Sequence, residues 1–378
     1  MRDRAKLIAV NLDYSLIVFL VLILCSGFMV LRSASVSASE RFAVNYLHQQ
    51  AAASLIGFCM MLGLQVIDLS SIKGLEKPVY IVMILFLAST LVFGETAKGA
   101  QRYLDIGPIT LQPAEPVKIL FIYSYAKYLA SKNTQLKTWR KLIPALCCGA
   151  LPLMLVMALP DLGTGMVFAA LIFGMLLAAG ASLMKLALLF GGSIGGVVFW
   201  IYGHMTRGWW LPLKDYQLMR LVVFVDPGYD PRNWGWNLLQ AQITVGSGGI
   251  WGQGWGQGVQ TASGYLPEQW TDFIFCVLGE EFGFIGCFVV LALYFSLLTR
   301  CLMIASRSRD LFGFIAISGV VSMFLFHVLQ NVGMVVGVMP ITGIPLPFVS
   351  YGRSALISGM IAIGIALNIG VYKDYSPF

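Results

Sequence analysis

The feature that most constrains this chain is a series of long apolar runs near residues 13–33, 47–67, 78–94, 113–130, 142–159, 164–183, 185–203, 272–299, 311–337 and 346–372. A helix needs about 20 apolar residues to cross the hydrocarbon core of a bilayer, and runs of this kind suffice. They are continuous and do not alternate with period two, as the strands of a membrane barrel would. In hydrocarbon every backbone N–H and C=O needs a partner inside the protein, which leaves helices. Composition agrees. Only 11% of residues are charged, against roughly a quarter in a soluble domain, too few to cover a water-exposed globule. The expected fold is therefore all-α: a polytopic integral membrane protein with about ten transmembrane helices, forming a single membrane domain over 1–378. Tyr14 to Leu31 is followed by no small-residue cleavage site and reads as a retained helix, not a signal peptide. The fourth run is the weakest, because Glu115, Lys118 and Lys127 interrupt it.

The connecting segments set the orientation. Alternate segments hold Arg2, Arg4 and Lys6; Lys73 and Lys77; Lys132, Lys137, Arg140 and Lys141; Lys185; Arg300, Arg307 and Arg309; and Lys373. The opposite short segments hold only Arg32, Arg41, Lys98 and Arg102, with Arg353 near the start of the last run. The positive-inside rule then puts both termini in the cytoplasm, which requires an even number of spans and so supports counting the fourth run. This distribution also accounts for the net charge of +7, so no nucleic-acid partner is implied. The seven cysteines lie in apolar runs or at their inner ends. An odd number so placed argues against a disulfide framework. His48, His204 and His327 have no metal-ligand spacing.

One outer segment stands apart. From about His204 to Thr271 the chain makes a long extracytoplasmic loop, and loops of such length are uncommon without a purpose. It carries Trp209, Trp210, Trp234, Trp236, Trp251, Trp255 and Trp270, and a glycine-rich stretch from Gly246 to Gly258. Each tryptophan alone fits an interfacial aromatic belt; the cluster fits a binding surface, since aromatic faces also stack on sugar rings. Tyr216 to Val225, apolar but broken by Arg220, suits a short helix lying in the interface.

Charged groups within or at the edge of a membrane are costly unless paired or wet, which makes each a functional candidate. Glu115 and Lys118 are three apart, on one helical face and within ion-pair reach. They form either a structural pair or part of a polar cavity. Arg102 offers a planar, permanently charged fork suited to a diphosphate. Asp161 sits where a helix begins, and N-capping is its better reading. Asp272 follows Leu266-Pro267-Glu268-Gln269-Trp270-Thr271, where the long loop re-enters the membrane. It or Thr271 can cap the next helix; alternatively, a carboxylate at an apolar cavity mouth has a raised pKa and serves as a base. Glu268 and Gln269 beside it join the candidates for substrate contact. Glu280 and Glu281, about two turns deeper, read as packing or cavity groups. His327, Gln330 and Asn331 read as interhelical hydrogen-bonders. Ser350 and Arg353 lie at the outer start of the last run, where a helix N-terminus can receive an anion.

The segments Gly99-Ala100-Gln101-Arg102-Tyr103-Leu104-Asp105, Gln112-Pro113-Ala114-Glu115, Pro160-Asp161-Leu162-Gly163-Thr164, Asp226-Pro227, Gly246-Ser247-Gly248-Gly249, Leu266 to Gly283, and Met339-Pro340-Ile341-Thr342-Gly343-Ile344-Pro345-Leu346-Pro347-Phe348 extend over nearly the whole chain. In that order the sequence resembles the SEDS family (shape, elongation, division and sporulation). The last segment looks more like the elongation branch than the division branch, which usually has Lys-Gly there. The resemblance implies a ten-helix fold and a peptidoglycan glycosyltransferase of the bacterial cytoplasmic membrane. That enzyme polymerises lipid II onto a growing glycan strand, with a class B penicillin-binding protein as partner for cross-linking. The family's essential aspartate maps onto Asp272. Three positions depart from the family pattern: Trp270 stands where His is usual, Arg353 interrupts the usual Ser-Tyr-Gly-Gly-Ser, and Pro116 replaces an ordinary helical residue.

The expected chemistry makes Asp272 the general base. Positive charge for the leaving diphosphate comes from Arg102, Arg220 or Lys118, with a divalent cation, Mg or Mn, as a possible addition. A lipid II flippase and a non-catalytic cell-wall scaffold are the alternatives. Intramembrane charges suit a flippase too, but the chain shows no inverted-repeat symmetry.

Overall fold

The computed structural model describes residues 8–35, 40–72, 74–97, 100–106, 109–132, 136–159, 161–210, 215–226, 228–230 and 235–373; of these, the side chains of 40–43, 95–97, 100–106, 109–111 and 215 lie outside the description. In chain order the elements are α1 Tyr14–Ala34, α2 Glu40–Gly63, α3 Glu76–Phe93, β1 Glu95–Ala97, β2 Ala100–Ile106, β3 Ile109–Leu111, α4 Ala114–Ser131, α5 Trp139–Ala158, α6 Leu162–Ala178 and α7 Leu183–Arg207. The long loop adds α8 Asp215–Val225, α9 Trp236–Ser247 and α10 Val259–Ser263. The chain then forms α11 Ile274–Ser306, α12 Leu311–Val335 and α13 Arg353–Val371. Each apolar run thus holds a helix, and α8 falls where the interfacial helix was expected. Eight of the described helices are long and apolar enough to cross a membrane. The other two runs give α4, with its three charged residues, and α6, which has 17 residues. The departure from helix is a small antiparallel meander, β1-β2-β3, leading into α4.

The centre of the bundle is α12 and α13, 67% and 78% buried over their apolar windows, against 11% for α7 and 17% for α3 at the periphery. Phe121, Phe168, Phe324 and Tyr294 are among the large side chains filling this core. The first and last described helices meet at one end of the bundle. There the Asn11 amide donates to Val371 O at 3.3 Å, and Asp13, the N-cap of α1, is ion-paired with Arg300 near the end of α11 at 2.9 Å.

α11 is broken at Gly283 (φ 64, ψ −164). A break inside a bundle strands backbone groups that must be re-satisfied. The glycine-rich stretch of the long loop does this with its own backbone. Gln253 N and Gly254 N donate to Glu280 O and Glu281 O at 2.9 and 3.0 Å, while Phe284 N and Ile285 N donate to Gly249 O and Ile250 O at 2.9 and 3.2 Å. A Cβ on Gly252 would collide with the Glu281 carbonyl, and one on Gly248 with that of Gly279. The glycines allow two backbones to approach more closely than side chains permit. Glu280 accepts from Gln260 N, Thr261 N and Thr261 Oγ1 at 2.7, 3.0 and 2.6 Å, and so ties α10 to the same break. Its neighbour Glu281 accepts from the Ser33 hydroxyl on α1.

Candidate functional site

At the opposite end of the bundle from Asp13, the connection between α12 and α13 folds back into the protein. The last apolar run predicts helix from about residue 346; the helix starts at Arg353. The reason is local. Pro345 and Pro347 bring no amide hydrogen, and Phe348 takes φ 65, outside helical geometry. Ile344, Leu346, Phe348 and Val349 of this segment are buried. Irregular backbone at such depth needs hydrogen-bond partners from the protein, and here side chains provide them. Asn331 Nδ2 donates to Ile344 O and Gln330 Nε2 to Pro340 O, both at 2.8 Å. Gln50 Nε2 donates to Ser350 O at 3.1 Å, Ser350 Oγ accepts from Leu346 N at 2.8 Å, and the Tyr294 hydroxyl donates to Pro347 O.

This braced segment fixes the turn bearing Asp272. Three consecutive carbonyls of the turn are each held from it or beside it. Tyr351 N donates to Trp270 O at 2.9 Å, Ser350 Oγ to Thr271 O at 2.6 Å, and Asn331 Nδ2 to Asp272 O at 2.8 Å. The N-cap of α11 is Phe273, with no side-chain cap bond, and not Thr271 or Asp272. Asp272 is half-buried. Its carboxylate lies beside Gly343 (φ 72), where an added Cβ would sit 3.1 Å from Oδ2. The same Thr342–Ile344 turn touches the start of α6, since a Cβ on Gly163 would come within 2.9 Å of Thr342 O. Asp161 caps that helix, accepting from Thr164 N at 3.1 Å and from Thr164 Oγ1 at 2.9 Å.

Glu115 and Lys118 form a buried ion pair at 2.9 Å on the first turns of α4. Lys118 Nζ also lies 3.2 Å from His327 Nε2 on α12. His327 Nδ1 is 2.7 Å from Met323 O; a carbonyl only accepts, so Nδ1 carries the proton and Nε2 accepts from the ammonium. Glu115, Lys118, His327, Pro347, Ser350 and Gly352 line a cavity of about 30 Å³, room for about one water and none for a sugar. Ser350 links this cavity to Asp272, because the same hydroxyl holds Thr271 O.

The remaining sequence candidates fall around this centre. Gln269 is buried and donates to Ala34 O at 2.7 Å and Thr261 O at 3.3 Å, anchoring the turn to α1 and α10. Glu268, at φ 53, accepts from Thr271 Oγ1 at 3.1 Å. Trp270 stacks on Tyr46 at 5.8 Å, and Tyr46 meets Tyr351 at 4.7 Å. Arg220 lies over the Tyr216 ring on α8. Arg102 is in β2, and its side chain lies outside the described residues, as does Trp234. Trp210 and Trp251 are exposed. Sequence reasoning missed Gln50, Tyr294 and Tyr46; the polar cluster His48-Gln49-Gln50 at the start of an apolar run was the signal for the first. Among the described residues no group of three or more His, Cys, Asp or Glu could hold a metal ion.

The model of the FtsW/RodA/SpoVE family, described as cell cycle proteins, matches residues 14–375. The chain is 34% identical to peptidoglycan glycosyltransferase MrdB of Escherichia coli K12 over 371 residues, covering 96% of this chain and 95% of that protein. It is 31% identical to peptidoglycan glycosyltransferase RodA of Treponema pallidum, covering 95% and 97%, and 32% identical to stage V sporulation protein E of Bacillus subtilis, covering 96% and 98%. Among solved structures it resembles a chain of a peptidoglycan synthase complex that coordinates polymerization and crosslinking (TM-score 0.79, 28% identity, 97% and 99% covered). It also resembles Thermus thermophilus RodA (TM-score 0.69, 25% identity, 97% and 98% covered).

Proposed function

The chain belongs to the FtsW/RodA/SpoVE family of cell cycle proteins, and we propose that Asp272 is the general base with which it, a multi-pass peptidoglycan glycosyltransferase of the cytoplasmic membrane, forms each glycosidic bond. The acceptor is the sugar hydroxyl of a lipid II molecule. Asp272 takes its proton, the oxygen attacks the anomeric carbon at the end of the growing strand, and undecaprenyl diphosphate leaves. A single displacement with oxocarbenium character inverts the anomeric centre. Negative charge grows on the diphosphate, and Arg102 and Arg220 are the cations proposed to meet it, since Lys118 is buried and held by Glu115 and His327. A Mg or Mn ion, if used, would be held chiefly by diphosphate oxygens and water.

The observation that carries this reading is the triple hold on Trp270 O, Thr271 O and Asp272 O. Fixing three successive carbonyls fixes the backbone from which the Asp272 side chain projects, and a misplacement of about 1 Å can cost on the order of a hundredfold in rate. The likeness to a synthase complex supports a second element, that a class B penicillin-binding protein is the working partner and cross-links the strands.

The test uses the full chain, purified with and without its cognate transpeptidase and given labelled lipid II, with products separated on a gel. Wild type yields long glycan strands. Asp272→Asn, folded and inserted, is expected to lose roughly two to four powers of ten in rate, the usual worth of a general base. Undiminished polymerisation by Asp272→Asn removes the residue from this role.

A further inference from the structure

The turn that bears Asp272 carries an aromatic ring that no step above uses. Trp270 stacks on Tyr46 of α2, with ring centroids 5.8 Å apart and planes at 29°, and Tyr46 meets Tyr351 at 4.7 Å and 51°. Three segments far apart in the chain thus build one aromatic cluster. All three residues are half-buried, so the cluster is seated in the protein and partly open to the outside. Trp210 and Trp251, at 76% and 80% exposure, stand out from the protein as residues of an interfacial belt do. Trp270 differs from them. Its ring is packed on a partner, and its carbonyl accepts from Tyr351 N at 2.9 Å, so the backbone beneath the indole is anchored too.

A polar edge runs beside the rings. The Tyr351 hydroxyl donates to Gln49 Oε1 at 2.5 Å, and Gln49 Nε2 donates to Asn45 Oδ1 at 3.0 Å. Asn45 is exposed, and its amide has two N–H donors. A ligand that fits such a surface has a flat apolar face and a rim of hydroxyl or amide groups. A pyranose ring has both: C–H bonds on its face, and hydroxyls or an N-acetyl group around its edge. Tyrosine and tryptophan suit this partner, because a rigid amphipathic ring gives a large contact area at small entropic cost. Residues two apart have Cα atoms within about 7 Å, inside the span of a disaccharide. A sugar against Trp270 is therefore the one that reacts at Asp272 or its immediate neighbour.

We propose that Trp270, Tyr46 and Tyr351, with Asn45 at the rim, form a saccharide subsite that stacks a pyranose ring of the glycan beside Asp272. The subsite rests on the glycosyltransferase reading and adds where the sugar of that substrate is held.

Equilibrium binding to the full chain in lipid nanodiscs tests it. Asp272→Asn is the background throughout, so binding is read without turnover and the result is separate from the role of Asp272 as base. The probes are lipid II with its peptide removed, a peptide-free glycan strand ending in undecaprenyl diphosphate, and undecaprenyl diphosphate alone, which has the same anchor and no sugar. Adding Trp270→Ala should weaken a sugar-bearing probe about tenfold and leave undecaprenyl diphosphate unchanged. Trp270→Phe, which keeps an aromatic face, should recover most of that loss. A loss with the lipid II probe assigns the subsite to the lipid-linked disaccharide; a loss confined to the strand assigns it to the growing polymer. No loss with either sugar-bearing probe, or a parallel loss for all three probes, overturns the subsite. Asn45→Ala, at an exposed position that the fold does not depend on, should weaken the same sugar-bearing probe about threefold. It decides the matter if Trp270→Ala fails to fold: unchanged binding of both sugar-bearing probes then overturns the proposal.

Discussion

Two irregular stretches of backbone pack against the membrane helices, and they are held in opposite ways. The glycine-rich stretch 248–258 meets the break in α11 backbone to backbone, and its chemistry is the absence of side chains. The 336–352 connection is held by side chains reaching out of neighbouring helices: Asn331, Gln330, Gln50, Tyr294 and its own Ser350. The first arrangement shapes the helix and leaves no room for a side chain at Gly248 or Gly252. The second can be trimmed one hydrogen bond at a time, and it holds the turn that bears Asp272. Shape and placement are thus separate tasks in this molecule, assigned to separate loops.

Substitutions should separate the two. The largest effect is expected for Gly252→Val. It forces a side chain into the Glu281 carbonyl at a position with φ 82, and the protein should fail to accumulate as a monodisperse species in size-exclusion chromatography. Next is Lys118→Met, which leaves a buried carboxylate unpaired at a cost of about 3–5 kcal/mol. Adding Glu115→Gln should recover most of the lost thermal stability, since removing both charges of a buried pair is far milder than removing one. Asn331→Ala strips a donor from the buried Ile344 O and the half-buried Asp272 O. Thermal denaturation should show a loss of about 1–3 kcal/mol per stranded group, with polymerisation falling more steeply than stability. The smallest effect is that of Asp161→Ala. It removes a helix cap worth about 1 kcal/mol, and calorimetry should detect the loss with little change in rate. If Asn331→Ala instead behaved like Gly252→Val, or Gly252→Val like Asn331→Ala, the division between the loops would not hold.

Much of this was legible in the sequence. Helix positions followed from apolar length, and the α8 interface helix from a short amphipathic run. The Asp161 cap and the Glu115–Lys118 pair followed from spacing alone, because both are local within a single helix. The start of α13 was not, because apolar composition does not distinguish a buried irregular segment from a helix. Prolines 345 and 347 were the available signal. The placement of Asp272 was hidden for a different reason. Asn331 stood out as a polar residue in an apolar run and Gln50 did not, and their partners are 59 and 300 residues away in sequence. No local pattern encodes such pairings. The role of the glycine-rich stretch was obscured similarly: the break it fills lies at Gly283, inside a run that reads as continuous helix.

The central claim is that the α12–α13 connection and Asn331 act on the reaction by holding Asp272 in place. A double-mutant cycle in single-turnover lipid II polymerisation tests it most directly, using Asp272→Asn, Asn331→Ala and both together, each corrected for folded protein. If Asn331 works through Asp272, its substitution slows the wild type on the order of a hundredfold but has little further effect once the carboxylate is gone. Equal, multiplicative losses in both backgrounds would contradict the account.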